Sequence, residues 1–332
     1  MRSHVISTRF VPLFLLSLLL LLLAACGQPT PTTSGASSTA TPTPTPALDA
    51  YGTPITFPST APRRIISLVP TISDMLAALH LDSRVVGVDS YTIYPADLAA
   101  LPKVSTLGKY NVEQIVALKP DLVLSYGQDT KQYDFQLVQL GLHVVDLPST
   151  NLSGILQEML VIGRLTQTES TATQVVAQLQ QQVNQIKAAV ASTTAPTVLL
   201  ELDDSNPASP YVDGGGSYVD QLLADANGVN VFHNDSSGGG FPQVTDEAII
   251  HANPQVIILT EEIAYGVTVA SVYKRTGWNV ITAVQMHHVY QIAPSLIAHP
   301  GPRVVQWLQC LAQTLHPDKF TTPLPSYCGA ND

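Results

Sequence analysis

Nine histidines, three cysteines and a Gly-Gly-Gly-Ser run are the residues of this 332-residue chain best suited to chemistry. Metal binding needs imidazoles or thiolates at ligand spacing. His287 and His288 are adjacent, so in a strand they point to opposite faces, and no HxH or CxxC spacing occurs. Hydrolysis by a serine nucleophile would call for G-x-S-x-G after a strand, and that pattern is absent. A phosphate-binding loop would need its Gly-Lys signature, which is absent too. Gly214–Gly216 before Ser217 make a tight turn leading into a helix N-cap. No catalytic residue and no cofactor site emerges. The chemistry legible here is non-covalent binding.

Two short segments carry acids at matched positions. NVEQIVALKPDLVLS, residues 111–125, places Glu113 seven positions before Pro120. TDEAIIHANPQVIILT, residues 245–260, places Glu247 seven positions before Pro254. Each predicts a short helix with the acid in its first turn, where it suits the helix dipole, then a proline stop and a strand. A chance match of a common helix–Pro–strand turn is one explanation. Corresponding positions in two similar halves is the other.

The elements around these segments support two halves. RIISLV (64–69) reads as a buried strand ending at Pro70, followed by a helix from Ser73 to Leu81 and a strand RVVGVD (84–89). Val112–Leu118 is a short helix, DLVLS (121–125) a strand, Tyr133–Leu140 a helix and HVVDL (143–147) a strand. Leu152 to Ala191 breaks the alternation with a short helix and then one long helix from about Glu169. The apolar stripe of that long helix is Val175, Val176, Leu179, Val183 and Ile186. Alternation then resumes with TVLLEL (197–202), helices Ser217–Ala226 and Asp246–Ala252, QVIILT (255–260), HVYQIA (288–293) and a last helix, Pro302–Leu315. The pattern predicts α/β architecture: mostly parallel sheets on either side of a long helix.

Ligands of open α/β sheets sit beyond the carboxyl ends of the strands. The segments there offer Pro70, Tyr91, Tyr94, Leu107, Lys109, Tyr110 and Tyr126 in the first half. The second half offers Tyr211, Phe241, Tyr265, Leu296 and His299. Seven aromatics against one lysine suit a large planar or apolar ligand. An anionic catecholate would want several Arg or Lys.

The amino-terminal region stands apart. Arg2 and Arg9 precede Phe10–Leu23, a leucine-dominated run of fourteen residues. At about 21 Å as a helix this is short for a membrane span and fits a secretory signal. Gly27–Ala61 has no Lys or Arg and a single acid, Asp49, and contains TPTPTP. Such a segment cannot offset its conformational entropy and favours extended polyproline II, reaching on the order of 100 Å. Net charge is −10 with only 12% charged residues and no basic run, which argues against nucleic acid as a partner. Beyond Cys26, Cys310 and Cys328 lie 18 positions apart, a spacing that permits a disulfide in an exported chain, with free thiols as the alternative.

Leu23-Ala24-Ala25-Cys26 resembles the lipobox of bacterial lipoproteins, which implies that Cys26 is lipidated and becomes the mature N-terminus. RIISLVPTISDMLAALHLDSRVVGVDSYTIYP and KVSTLGKYNVEQIVALKPDLVLSYG resemble the N-terminal lobe of the iron-complex and vitamin B12 periplasmic binding proteins. YVDGGGSYVDQLLADANGVNVF, FPQVTDEAIIHANPQVIILT and HPGPRVVQWLQCLAQTLHPDKF resemble their second lobe. The resemblance spans roughly Arg63 to Phe320. It implies two α/β lobes joined by one rigid helix, with ligand held between them and no enzymatic activity. The implied division is a signal peptide at 1–25, lipidated Cys and tether at 26–62, lobes at 63–150 and 196–320, connecting helices at 151–195 and a tail at 321–332.

The same resemblance implies that Glu113 and Glu247 dock on arginines of two permease subunits of an ABC importer with its ATPase subunits. It places the chain outside the cell membrane as a monomer, held by its lipid alone. Tyr91 falls where the cobalamin-binding member packs a Tyr on its ligand, while Tyr126, Leu107 and Leu296 fall where that member has Trp. A corrinoid ranks first as ligand, then haem or a ferric siderophore. For haem, Tyr91, Tyr126 and His299 are the candidate axial ligands.

Overall fold

A computed structural model describes residues 47–106, 108–127, 130–147, 151–204, 206, 208–261, 266–299 and 301–329. Cys26, the leucine-rich run, Leu107 and Tyr265 lie outside these residues. Among the described residues no helix is long and apolar enough to cross a membrane.

The first half contains β1 (Ile65–Ser67), α1 (Pro70–Ala78), β2 (Val85–Asp89), α2 (Ala96–Ala99), β3 (Lys103–Thr106) and β4 (Lys109–Tyr110). It continues with α3 (Val112–Ala117), β5 (Leu122–Ser125), α4 (Lys131–Gln139) and β6 (Val144–Asp146). The strands form one sheet in the order β4-β3-β2-β1-β5-β6, parallel except for β3–β4. Its central strands are buried on both faces, which is why they read as unbroken apolar runs.

Two helices follow, α5 (Leu152–Leu165) and α6 (Glu169–Val190). Val183 and Ile186 of the expected stripe are buried, while Val175, Val176 and Leu179 pack part-buried on the main core. Both ends of α6 are tied down. Arg84 donates to the Thr166 carbonyl at 2.9 Å beside its start. At its end Asn227 Nδ2 donates to the carbonyls of Val190 and Thr193, at 3.1 and 3.0 Å, and Lys187 pairs with Asp225.

The second half contains β7 (Thr197–Asp203), β8 (Tyr211–Val212), α7 (Tyr218–Asp225), β9 (Val229–Asn230), the turn α8 (Ser237–Gly240) and α9 (Asp246–Ala252). Then come β10 (Val256–Leu259), α10 (Val269–Val272), α11 (Thr282–Gln285), β11 (Val289–Gln291) and α12 (Val304–Leu315). Its sheet runs β11-β10-β7-β8, with β9 pairing the start of β7. Trp307 of α12 is fully buried in the main core, and Cys310 of the same helix is disulfide-bonded to Cys328.

Two expectations need correction. The first helix starts at Pro70, not Ser73, because proline at the first helical position loses no hydrogen bond there. It ends at Ala78, and His80 turns the chain at φ 59°. The tether does not run loose to residue 62. Leu48 bridges Pro54, Ile55 and Phe57 pack on the core, and the Tyr51 hydroxyl donates to Asp134 at 2.9 Å. Tyr51 also stacks on Phe135 of α4, and Phe57 lies under Arg164 of α5, contacts that a reading from composition overlooks.

Candidate functional site

The two sheets present the carboxyl ends of their parallel strands toward one another. Asp89, the last residue of β2, faces His299, which follows β11. Asp74 in α1 pairs with Arg303 at the start of α12. The loops that follow β2 and β11 therefore approach one another on this side, one wall from each sheet.

On the first wall Tyr91 is 46% exposed and its backbone N–H donates to Asp89 Oδ1 at 2.6 Å. Asp89 also accepts from the Thr92 hydroxyl at 2.5 Å, so the loop carrying Tyr91 is held by a carboxylate at its root. Burial pushes the Asp89 carboxyl up, against those hydrogen bonds. Pro70 opens α1, Lys109 is exposed on β4, and Tyr126 is half-buried after β5, its phenol pushed up by burial and then by Glu158.

On the second wall Tyr211 of β8 is 42% exposed. His299 is half-buried; burial pushes its imidazole down, and Asp89 pulls the other way. Leu296 is different. It is 4% exposed and belongs to the main core cluster, so the structure makes it a core residue, pulled inward by the short turn Pro294–Leu296. Phe241 also packs on that core, part-buried.

Sequence reading missed the buried charges behind the second wall. Arg275 donates to both oxygens of Glu201 at 2.6 Å each and to Asp204 at 2.7 Å, and its guanidinium stacks on Trp278. Its charge is thus engaged inside the lobe. Burial pushes Glu261 up to about 8, helped by Glu201 and Asp204 nearby. Asp213, after β8, is pushed by burial up to about 8 while it accepts from Ser217 and Asn230 at 2.5 and 2.9 Å. Ser217 caps α7, as the glycine turn predicts. A side chain at Gly215 would collide with the His233 carbonyl, so the turn needs glycine there. No periodic pattern marks these contacts.

The paired acids occupy equivalent places. Glu113 and Glu247 are each the second residue of a helix, α3 and α9, and both are exposed. Each helix is capped by a side chain, Asn111 or Thr245, accepting from the third helical N–H. Each buries one isoleucine, Ile115 or Ile249, at 0% exposure. Each is followed by a residue with positive φ, Lys119 at 46° and Asn253 at 47°, then the proline.

A 480 Å³ cavity lined by Pro196, Gln255 and His288 sits instead at the amino ends of β7, β10 and β11, away from the edge where this architecture holds ligands. Among the described residues no group of three or more His, Cys, Asp or Glu is placed to hold a metal ion.

The family model for periplasmic binding proteins matches residues 65–296. The chain belongs to that family. It is 30% identical over 269 residues to an uncharacterized ABC transporter substrate-binding lipoprotein of Bacillus subtilis, covering 78% of this chain and 82% of that one. It is 28% identical over 208 residues to a vitamin B12-binding protein of Yersinia pestis, covering 62% and 72%. Its fold is like that of a periplasmic heme-binding protein from Pseudomonas aeruginosa, at a TM-score of 0.66 and 24% identity, over 79% of this chain and 96% of that one.

Proposed function

We propose that this chain is the extracytoplasmic substrate-binding subunit of an ABC importer and that it carries a corrinoid between its lobes. The observation behind the importer role is the duplicated, capped helix that exposes one glutamate on each lobe. An isolated surface acid has no need of a twin. Two like permease subunits about a common axis give both acids a reason, each facing an arginine. Cys26 would hold the chain to the membrane by its lipid, through the tether that ends where the chain packs near Tyr51.

The ligand reading rests on the walls. Tyr91 and Tyr211 offer exposed aromatic faces, and Arg275 is spent on Glu201 and Asp204. That leaves little positive charge for an anionic catecholate and suits a bulky, largely neutral ring system. A relative at 28% identity is named for vitamin B12. Haem is the second reading, favoured by His299, which burial keeps in the neutral form that ligates iron. A thermal-shift panel of cyanocobalamin, haemin and ferric hydroxamates tests the role, because a bound ligand raises the melting temperature by mass action. Stabilisation by cyanocobalamin supports the corrinoid. Stabilisation by haemin alone replaces it, and a flat panel counts against ligand carriage of this class.

A further inference from the structure

Besides α6, the lobes share a second connection on the cleft side. Asp74, in the helix that follows β1, has a side chain only 3% exposed, and it accepts from Arg303 Nε at 2.8 Å. Arg303 occupies the N-cap position of α12, which packs on the connecting helix α6 and on α7 of the second lobe. The same guanidinium lies 4.7 Å from the centroid of the Tyr94 ring. Tyr94 belongs to the loop that carries Tyr91 at the cleft edge. Arg303 therefore holds two separate elements of the first lobe at once.

The backbone is shaped for this approach. A Cβ at Gly301 would lie 3.1 Å from the Asp74 Cβ and 3.3 Å from its Oδ2, so a larger residue there would press Asp74 back by a few tenths of an ångström. The charges that face the pair are Asp89 and His299. A buried ion pair adds little net stability over an apolar contact of the same shape. Its directional geometry does fix the register of the two surfaces that it joins.

We propose that Asp74 and Arg303 form an interlobe clasp that sets the spacing of the two lobes and holds the Tyr91–Tyr94 loop over the cleft. Arg303 is a positioning residue in this account. Among the described residues its hydrogen bond and its ring contact to the first lobe are those with Asp74 and Tyr94, and it acts on ligand through that loop.

The test needs no ligand, so it stands apart from the proposed function. Spin labels at Val116→Cys in α3 and Val280→Cys, both exposed positions on opposite lobes, report the interlobe distance by double electron–electron resonance. The native chain should give one narrow distribution. Arg303→Gln and Asp74→Asn should each broaden it and shift it to longer distances, and the double variant should go no further than either single one. Should either fail to fold, Arg303→Lys decides. It keeps a charge for Asp74 but no planar face for Tyr94, and it must be broader than native. A distribution as narrow and as centred as native in the variants that fold, even with a lowered melting temperature, would make the pair a packing feature and overturn the clasp.

Discussion

Glu113 and Glu247 hold the same place in two helices 134 residues apart: second helical residue, exposed, above one buried isoleucine. Packing explains the isoleucines, the left-handed residues and the prolines. It does not explain the acids. Reversing both charges, Glu113→Arg with Glu247→Arg, should abolish uptake while ligand affinity stays at its native value and stability falls only by the lost helix-dipole contribution, about 1 kcal/mol per helix. One reversal alone should weaken docking by about 2 kcal/mol or more, as for charge pairs closed off from water. Uptake assays beside ligand titration check this. Lost ligand binding would place the acids in the wrong role.

Ligand contact predicts a second effect. Tyr91→Ala and Tyr211→Ala remove exposed aromatic faces from opposite walls. Each should cost about 2 kcal/mol of affinity, roughly thirtyfold, if these rings are the anchors. Leu296→Val, inside the core, should leave affinity unchanged and lower stability by about 1 kcal/mol. Calorimetric titration and thermal melts separate the two outcomes.

The Asp213 carboxyl makes stability depend on pH in a definite direction. Its folded value is about 8, against about 3.9 for an unfolded aspartate. Between those values the folded chain keeps a proton that the unfolded chain releases, so stability falls as pH rises and the loss is complete above about 8. Glu261, also at about 8, adds the same sign. Asp213→Asn should flatten the fall between about pH 5 and 8, measured by urea unfolding at fixed steps. An unchanged slope would mean that the carboxyl titrates normally.

The connecting helix offers a fourth check. Asn227 sits at φ 56°, and the two N–H groups of its amide are shared among three acceptors, the Val190 carbonyl, the Thr193 carbonyl and the Thr193 hydroxyl. Asn227→Gly keeps the backbone conformation and removes those bonds. A loss of about 1–3 kcal/mol in denaturant unfolding is expected. A neutral result would show that the Asn227 side chain contributes nothing to holding the end of α6.

The parallel strands and the long helix were legible because burial on both faces writes continuous apolar runs, and a half-buried helix writes a stripe. β3, β4, β8 and β9 escaped, since strands of two to four residues carry too little pattern to read. The candidate site was legible only as loops beyond strand ends. Asp74 and Arg303 lie 229 residues apart and join through tertiary geometry that no local spacing encodes. The same holds for Tyr51 and Asp134, which draw the end of the tether onto the first lobe. Leu296 was placed by its position after a strand, but the turn that follows β11 rotates it into the core.

Equilibrium titration of the full chain with cyanocobalamin tests the central claim most directly, with haemin followed in parallel by its Soret band. The account predicts one saturable cobalamin site per chain, weakened in Tyr91→Ala and untouched in the Glu113→Arg, Glu247→Arg double variant. Absence of saturation with cyanocobalamin, or binding indifferent to Tyr91, would contradict it.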